Sequence, residues 1–280
     1  MSSPLKIIVG DVDFPFHWNG TKKTRNSALK ILQGATYPLL DNFNPKVIFD
    51  VGANIGAATV YFAVNYKEAT IYSFEPTTIN FDLLGLNTSH YKNIQVFKKG
   101  LFNNNQIEKI YFNSENPERN SLNNQWAQSD TYEEIELIRL DDFLSKNKIE
   151  KIDLLKIDTE GCEVQILETI EKYLAEIEVI YLEYHSKADK VAMLKLISLS
   201  HDILFDNFSG VTALLVDQCL FQNFTNYADI TVNNKLIVGA NKIINAKHIQ
   251  ALKECGIDTI KVYWTEMGEL MCKKKRPHTD

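Results

Sequence analysis

Residues 46–56, KVIFDVGANIG, decide the fold. Lys46–Val51 is an apolar run broken only by Asp50, as expected of a strand buried on both faces. Gly52 permits a sharp turn and Gly56 a close backbone approach. Ala57, Val60, Tyr61 and Val64 then fall at i, i+3, i+4 and i+7, one face of a helix over Gly56–Tyr66. Strand, glycine turn and helix form the opening of a βαβ unit.

The same alternation continues outward. Thr70–Phe74, Asn93–Lys98, Ile152–Ile157 and Glu178–Glu183 read as further parallel strands. Ile79, Leu83 and Leu86 mark a helix across Thr78–His90; Val164, Leu167, Ile170 and Leu174 mark another, and Met193, Leu196 and Ile197 a third over Lys187–Leu199. Ile107–Phe112 and Glu133–Leu140 read as a hairpin or loop excursion around polar Asn113–Thr131. Asp202–Phe208 and Val211–Val216, around Ser209–Gly210, read as an antiparallel hairpin closing the sheet. The expected fold is α/β and Rossmann-like: a doubly wound, mostly parallel seven-stranded sheet with an antiparallel terminal hairpin.

This divides the chain into an N-terminal helical segment, 1–46, with Thr24–Leu32 a helix covering the site; a core, 47–217; and a C-terminal extension, 218–280. In the extension, Asn245–Cys255 reads as a helix and Thr259–Trp264 and Glu269–Lys273 as strands. They make a small α/β appendage for acceptor choice or homodimerisation, or else the true closing hairpin, which would make 187–240 partly an insertion.

Composition narrows the class. The net charge is −6, against bulk electrostatic binding of nucleic acid. No run approaches the ~20 apolar residues of a membrane span, and Met1–Gly10 lacks a signal-peptide core. Cys162, Cys219, Cys255 and Cys272 have neither CxxC nor zinc-finger spacing. The expectation is a reduced, cytoplasmic protein.

Ligands of doubly wound sheets bind beyond the carboxyl ends of the strands. That directs attention to the residues after Val51, Phe74, Lys98, Ile157 and Glu183. The dinucleotide pattern GxGxxG is absent, since Asn54 takes the place of its second glycine, which weighs against an NAD-dependent oxidoreductase. Glu75, ending the second strand, stands where an acid accepts hydrogen bonds from ribose hydroxyls.

Asp50-x-Gly52-x-Asn54-x-Gly56 resembles the first motif of class I S-adenosylmethionine methyltransferases. More narrowly, the chain resembles the FkbM methyltransferase family. Phe74-Glu75-Pro76 with Asn80-Phe81, Lys99-Gly100-Leu101-Phe102, Ser121-Leu122, Leu140–Phe143 (LDDF), Leu154–Glu163 (LLKIDTEGCE), Leu182–His185 (LEYH) and His201–Phe205 match its segments in order. The resemblance spans about residues 47–216; Thr159 replaces the usual Val, and the C-terminal extension is unmatched. It implies S-adenosylmethionine as cofactor, with Asp50 holding its amino group. Gly52, Asn54, Gly56, Glu75 and Pro76 would complete the cofactor site, with Gly100 and Leu101 near adenine and Ser121 touching the cofactor. It also implies a small-molecule or glycan acceptor, methylated on a hydroxyl. A non-catalytic S-adenosylmethionine-binding scaffold stays open beside it.

A hydroxyl acceptor needs its proton removed near the transition state. Asp158 ends the fourth strand and is also a cofactor contact; Glu183 and His185 share one face of the fifth. These three are the expected acceptor-side residues, His185 being either the base or a structural histidine. They could instead collect Mg²⁺ or Mn²⁺, but such residues also gather at cleft mouths without metal, and none is assigned. Glu160 is a further candidate directly after the strand, while Glu163 suits the first turn of a helix. Trp18, Tyr37 and Trp126 line the acceptor pocket or simply pack. Cys162 reads as inert, and Lys273–Arg276 as a solvated tail.

Overall fold

A computed structural model of the 280-residue chain describes residues 4–9, 12–112, 120, 122, 130–208, 211–215, 225–226, 229–233, 235–239, 242, 244–257, 259–263 and 268–275. Its centre is a seven-stranded sheet, whose strands alone are numbered here. They are β1 (Val47–Val51), β2 (Thr70–Phe74), β3 (Ile94–Phe97), β4 (Leu154–Ile157), β5 (Val179–Tyr184), β6 (His201–Phe208) and β7 (Gly268–Lys274). Their spatial order is β6-β7-β5-β4-β1-β2-β3. β1 to β5 are parallel neighbours in that order, and β7 is antiparallel to both β5 and β6. The chain runs outward from β1 to β3, then returns beside β1 to start β4. The crevice between β1 and β4 is therefore the switch point of the sheet.

Strand residues alternate between two apolar layers. Ile48, Ile71 and Leu154 pack on one face, and Phe49, Phe74 and Leu155 on the other. The helix Ala57–Asn65 is buried from Ala57 through Val64, because it lies between the sheet and the helix Lys22–Leu32. A helix buried all round must be apolar all round, as this one is. Lys22–Leu32 is capped by Thr21, whose hydroxyl accepts from the Thr24 amide at 3.1 Å.

The terminal hairpin differs from the sequence reading. Val211–Leu215 does not join the large sheet; it pairs with Thr259–Tyr263, which also pairs with Thr225–Asn226. The sheet is closed by β7, the strand read as Glu269–Lys273, so it draws on residues both before and after position 217. The physical reason is burial. β7 takes an interior slot between β5 and β6, and Leu270, Met271 and Cys272 are all buried there. Residues 209–267 are thus inserted between two neighbouring strands, with a separate small core of Val238, Ile244, Ile249, Leu252 and Ile260.

Two local features complete the frame. The N-terminal segment holds an antiparallel hairpin, Leu5–Val9 with Val12–Phe16, ahead of its helix. Past β3, Gln106–Tyr111 pairs antiparallel with Tyr132–Ile138, and Gly100–Leu101 adds to it in parallel. This small sheet flanks the carboxyl end of β2.

Candidate functional site

The loop after β1 is held by its neighbours rather than by its own side chains. Gly52 and Ala53 donate their amides to the Phe74 carbonyl at 3.0 and 2.8 Å. Gly52 has φ +74, and a Cβ there would lie 1.8 Å from the Asp158 carbonyl oxygen. Only glycine satisfies both constraints. Asn54 adopts φ +50 without being glycine, and its side-chain oxygen accepts from the Ile55 amide at 2.8 Å. Asparagine is among the residues that tolerate this conformation. Gly56 has φ +89 where the helix begins.

Glu75 closes this loop from β2. Its Oε2 accepts from the Asn54 amide at 3.0 Å, and its Oε1 from the Thr77 amide at 3.0 Å and hydroxyl at 2.5 Å. Burial pushes its carboxyl up, while the hydrogen bonds from Thr77 and Asn54 pull it back.

These groups wall a cavity of about 460 Å³ at the carboxyl ends of β1, β2, β4 and β5. Gly52, Asn54, Glu75, Pro76, Gly100, Leu101, Asp158 and Glu183 all line it, so most of the residues named from sequence meet in one place. Leu101, Ile110, Ile135 and Leu137 from the small sheet, joined by Leu122, form an apolar wall. Lys23, Ser27, Ile31 and Tyr37 close the opposite side from the N-terminal segment, so the helix does border the cavity. Ser121 and Trp126 lie outside the described residues. Gly56 shapes the helix start and does not line the cavity.

Asp50 lies within β1, apart from the cavity lining. Its carboxylate is wholly buried and does not reach the cavity. Oδ1 lies 3.0 Å from the Lys156 ammonium, and Oδ2 accepts from the Thr59 hydroxyl at 2.6 Å. Lys156, on β4, also donates to the Gly52 carbonyl at 2.7 Å. Burial works against the ammonium, yet Asp50 and Asp158 hold Lys156 above its usual range. Asp50 therefore fixes the glycine loop through Lys156. Lys156 itself went unassigned in the sequence, where a lysine inside an apolar strand signals a paired acid on the neighbouring strand.

Carboxyl groups crowd the cavity floor. Single oxygens of Asp158, Glu160 and Glu183 all lie within 4.8 Å of one another. Burial opposes ionisation of Asp158, but Lys156 at 3.9 Å and a hydrogen bond with Glu183 hold its carboxyl below the ordinary range. Glu183 pairs with it in the opposite sense: burial and the Asp158 charge hold it well above the ordinary range. Glu160 is pushed up to about 8, first by burial and then by Asp158. Its backbone has φ +57, a conformation costing a non-glycine residue about 1–3 kcal/mol. Tyr37 donates to Asp158 from above at 3.5 Å.

His185 directly follows the end of β5. Its side chain is 1% exposed and does not line the cavity. It sits behind the acids, with Nε2 3.4 Å from Glu163 and 3.6 Å from Glu183, and Nδ1 3.8 Å from Glu160. Burial alone would lower its affinity for a proton, but Glu163 and Glu160 raise it to about 9. Glu163 is the structural acid: it accepts from the Thr159 amide at 2.8 Å and the Gly161 amide at 3.1 Å, tying down the turn that carries Glu160. The Cys162 thiol, pushed up to about 12 by burial and Glu163, is no nucleophile.

Among the described residues, no helix is long and apolar enough to cross a membrane. Comparison with known proteins matches residues 50–222 to the methyltransferase FkbM domain. The chain is 29% identical over 140 residues to "Methyltransferase 1" of Beauveria bassiana, covering 43% of this chain and 56% of that protein. It is 27% identical over 160 residues to "Methyltransferase sdnD" of Sordaria araneosa, covering 46% and 61%. It is 26% identical over 162 residues to "2-O-methyltransferase NoeI" of Sinorhizobium fredii, covering 52% and 65%. The matches thus span somewhat more than half of each relative's length. With the family's domain matched across more than half of its residues, on the sheet that builds the cavity, this chain belongs to the FkbM methyltransferase domain family.

Proposed function

We propose that the chain binds S-adenosylmethionine in the switch-point cavity and methylates a hydroxyl of a sugar, glycan or specialised metabolite. The observation that carries this reading is the position of Glu75. It is a buried carboxylate on the cavity wall, between the glycine loop and the apolar wall around Leu101 and Leu137. That pairing suits a ribose with an adjoining adenine. A volume of about 460 Å³ falls within the usual range for small-molecule sites. The name of the NoeI relative supports oxygen as the atom methylated.

When bound, S-adenosylmethionine supplies an electrophilic sulfonium methyl. The chain's part is positioning and proton management. Gly52, Asn54 and Glu75 hold the nucleoside side, and Gly100 and Leu101 the base. Asp158 and Glu183 face the space left for the acceptor, and the N-terminal helix with Tyr37 narrows access by water. Incubation with S-adenosylmethionine and a panel of methyl glycosides, with S-adenosylhomocysteine followed by mass spectrometry, tests the reading. Release that depends on one acceptor is expected. Binding of S-adenosylmethionine without acceptor-dependent release across the methyl glycosides, and across a lipid and a polyketide alcohol added to the panel, would contradict a transferase.

A further inference from the structure

Three carboxyls border the space for an acceptor, and the geometry tells them apart. Asp158 is engaged on both sides, by Lys156 at 3.9 Å below and by the Tyr37 hydroxyl at 3.5 Å above. Glu183 is hydrogen-bonded to Asp158. Glu160 is placed differently. It stands on a left-handed turn (φ +57) followed by Gly161 at φ +111, which sends its side chain to the cavity lining instead of along the helix that follows. The Thr159 and Gly161 amides on either side of it are both bonded to the buried Glu163, so the turn is fixed. Behind it, the His185 ring reaches Glu160 Oε2 at 3.8 Å and Glu163 Oε1 at 3.4 Å. Strained, side-chain-directing turns of this kind gather at reacting groups.

We propose that Glu160 is the base that takes the acceptor hydroxyl's proton, with His185 as the positioning residue behind it; the assignment rests on the methyl-transfer reading above. As the acceptor oxygen forms its bond to the methyl carbon, the carbon–sulfur bond breaks with its electron pair left on sulfur. The hydroxyl proton moves to the Glu160 carboxylate, so charge and atoms balance without a further reactant. Asp158 is too weak a base for this task, since Lys156 stabilises its ionised form. Glu183 is tied up in its hydrogen bond with Asp158, whose charge holds its carboxyl well above the ordinary range. Glu160 binds its proton near neutrality, the condition that suits general-base catalysis. The groups that set this affinity are Asp158 and Glu163, which raise it with burial, and His185 and Lys23, which lower it.

The test follows the carboxyl groups of the protein loaded with S-adenosylhomocysteine by carbon-13 NMR across pH. A resonance with a midpoint near 8 is expected, absent from E160Q. In H185Q that midpoint should rise, because the imidazolium lowers it. On the methyl glycoside giving fastest turnover, E160Q should lose about 100-fold or more in kcat and the acidic limb of its pH profile, with cofactor affinity kept. In H185Q the optimum should move to higher pH. A Glu160 midpoint below about 6, the ordinary carboxyl range, or wild-type kcat in E160Q, would overturn the assignment of the base alone. Failure of the wild-type protein to bind S-adenosylhomocysteine would instead sink the methyl-transfer reading.

Discussion

A carboxyl facing two others in a low-dielectric cavity cannot keep an ordinary affinity for its proton. The consequences at residue scale extend to stability. Glu160 rises from 4.5 to about 8, and His185 from 6.5 to about 9. Both groups bind their protons more tightly when the chain is folded, so each stabilises the fold fully below its unfolded value. That contribution fades as pH climbs through the folded value. Glu160 therefore gives up its share between about pH 4.5 and 8, and His185 between about 6.5 and 9. The melting temperature should fall between pH 6 and pH 9.5, and E160Q should fall less steeply than the wild type. Differential scanning calorimetry reads this directly; a flat or rising curve would contradict the proton assignments.

Between elements, the sheet is joined to its glycine loop by one buried ion pair, Asp50 on β1 with Lys156 on β4. Asp50→Asn leaves the buried ammonium with only the more distant Asp158, at 3.9 Å, as counter-charge, which should cost up to about 3–5 kcal/mol in urea unfolding. The double change Asp50→Leu with Lys156→Met should recover much of that loss. A single variant as stable as the wild type would show that the pair does not hold the loop. This pair also marks where sequence reading stopped. Runs such as VIFDV and LLKI reveal buried strands, because apolar content survives without knowing the neighbours. Which charged side chain meets which depends on strand order, and an acid at a strand end looks the same whether it faces a ligand or a lysine. The placement of His185 is hidden in the sequence for a related reason. This histidine lies two residues past Glu183, but β5 ends at Tyr184, so the alternation that would expose both to the cavity no longer applies. β7 is legible as a strand and, in one of the two readings, as part of the closing hairpin; its pairing with β6 across an insertion of 59 residues, rather than with Thr259–Tyr263, is not signalled locally.

Across the whole molecule, the parts of the cavity come from segments far apart in the chain: the N-terminal helix, the loop after β1, the end of β2, the small sheet and the ends of β4 and β5. The sequence motifs lie on those segments in order, which is why Gly52, Glu75, Gly100 and Asp158 could be gathered into one site before any coordinates. The N-terminal hairpin carries no such motif and is not legible in the sequence, whereas the separate core around Leu252 is built on the helix and strand read at Asn245–Cys255 and Thr259–Trp264. The central claim is that this gathered cavity holds S-adenosylmethionine with Glu75 on its ribose. Isothermal titration calorimetry of the wild type and Glu75→Ala, with circular dichroism on both, tests it most directly. The account predicts about one cofactor bound per wild-type chain and affinity lowered by about 100-fold or more in the variant, with unchanged dichroism. Wild-type affinity in a folded Glu75→Ala protein would contradict it.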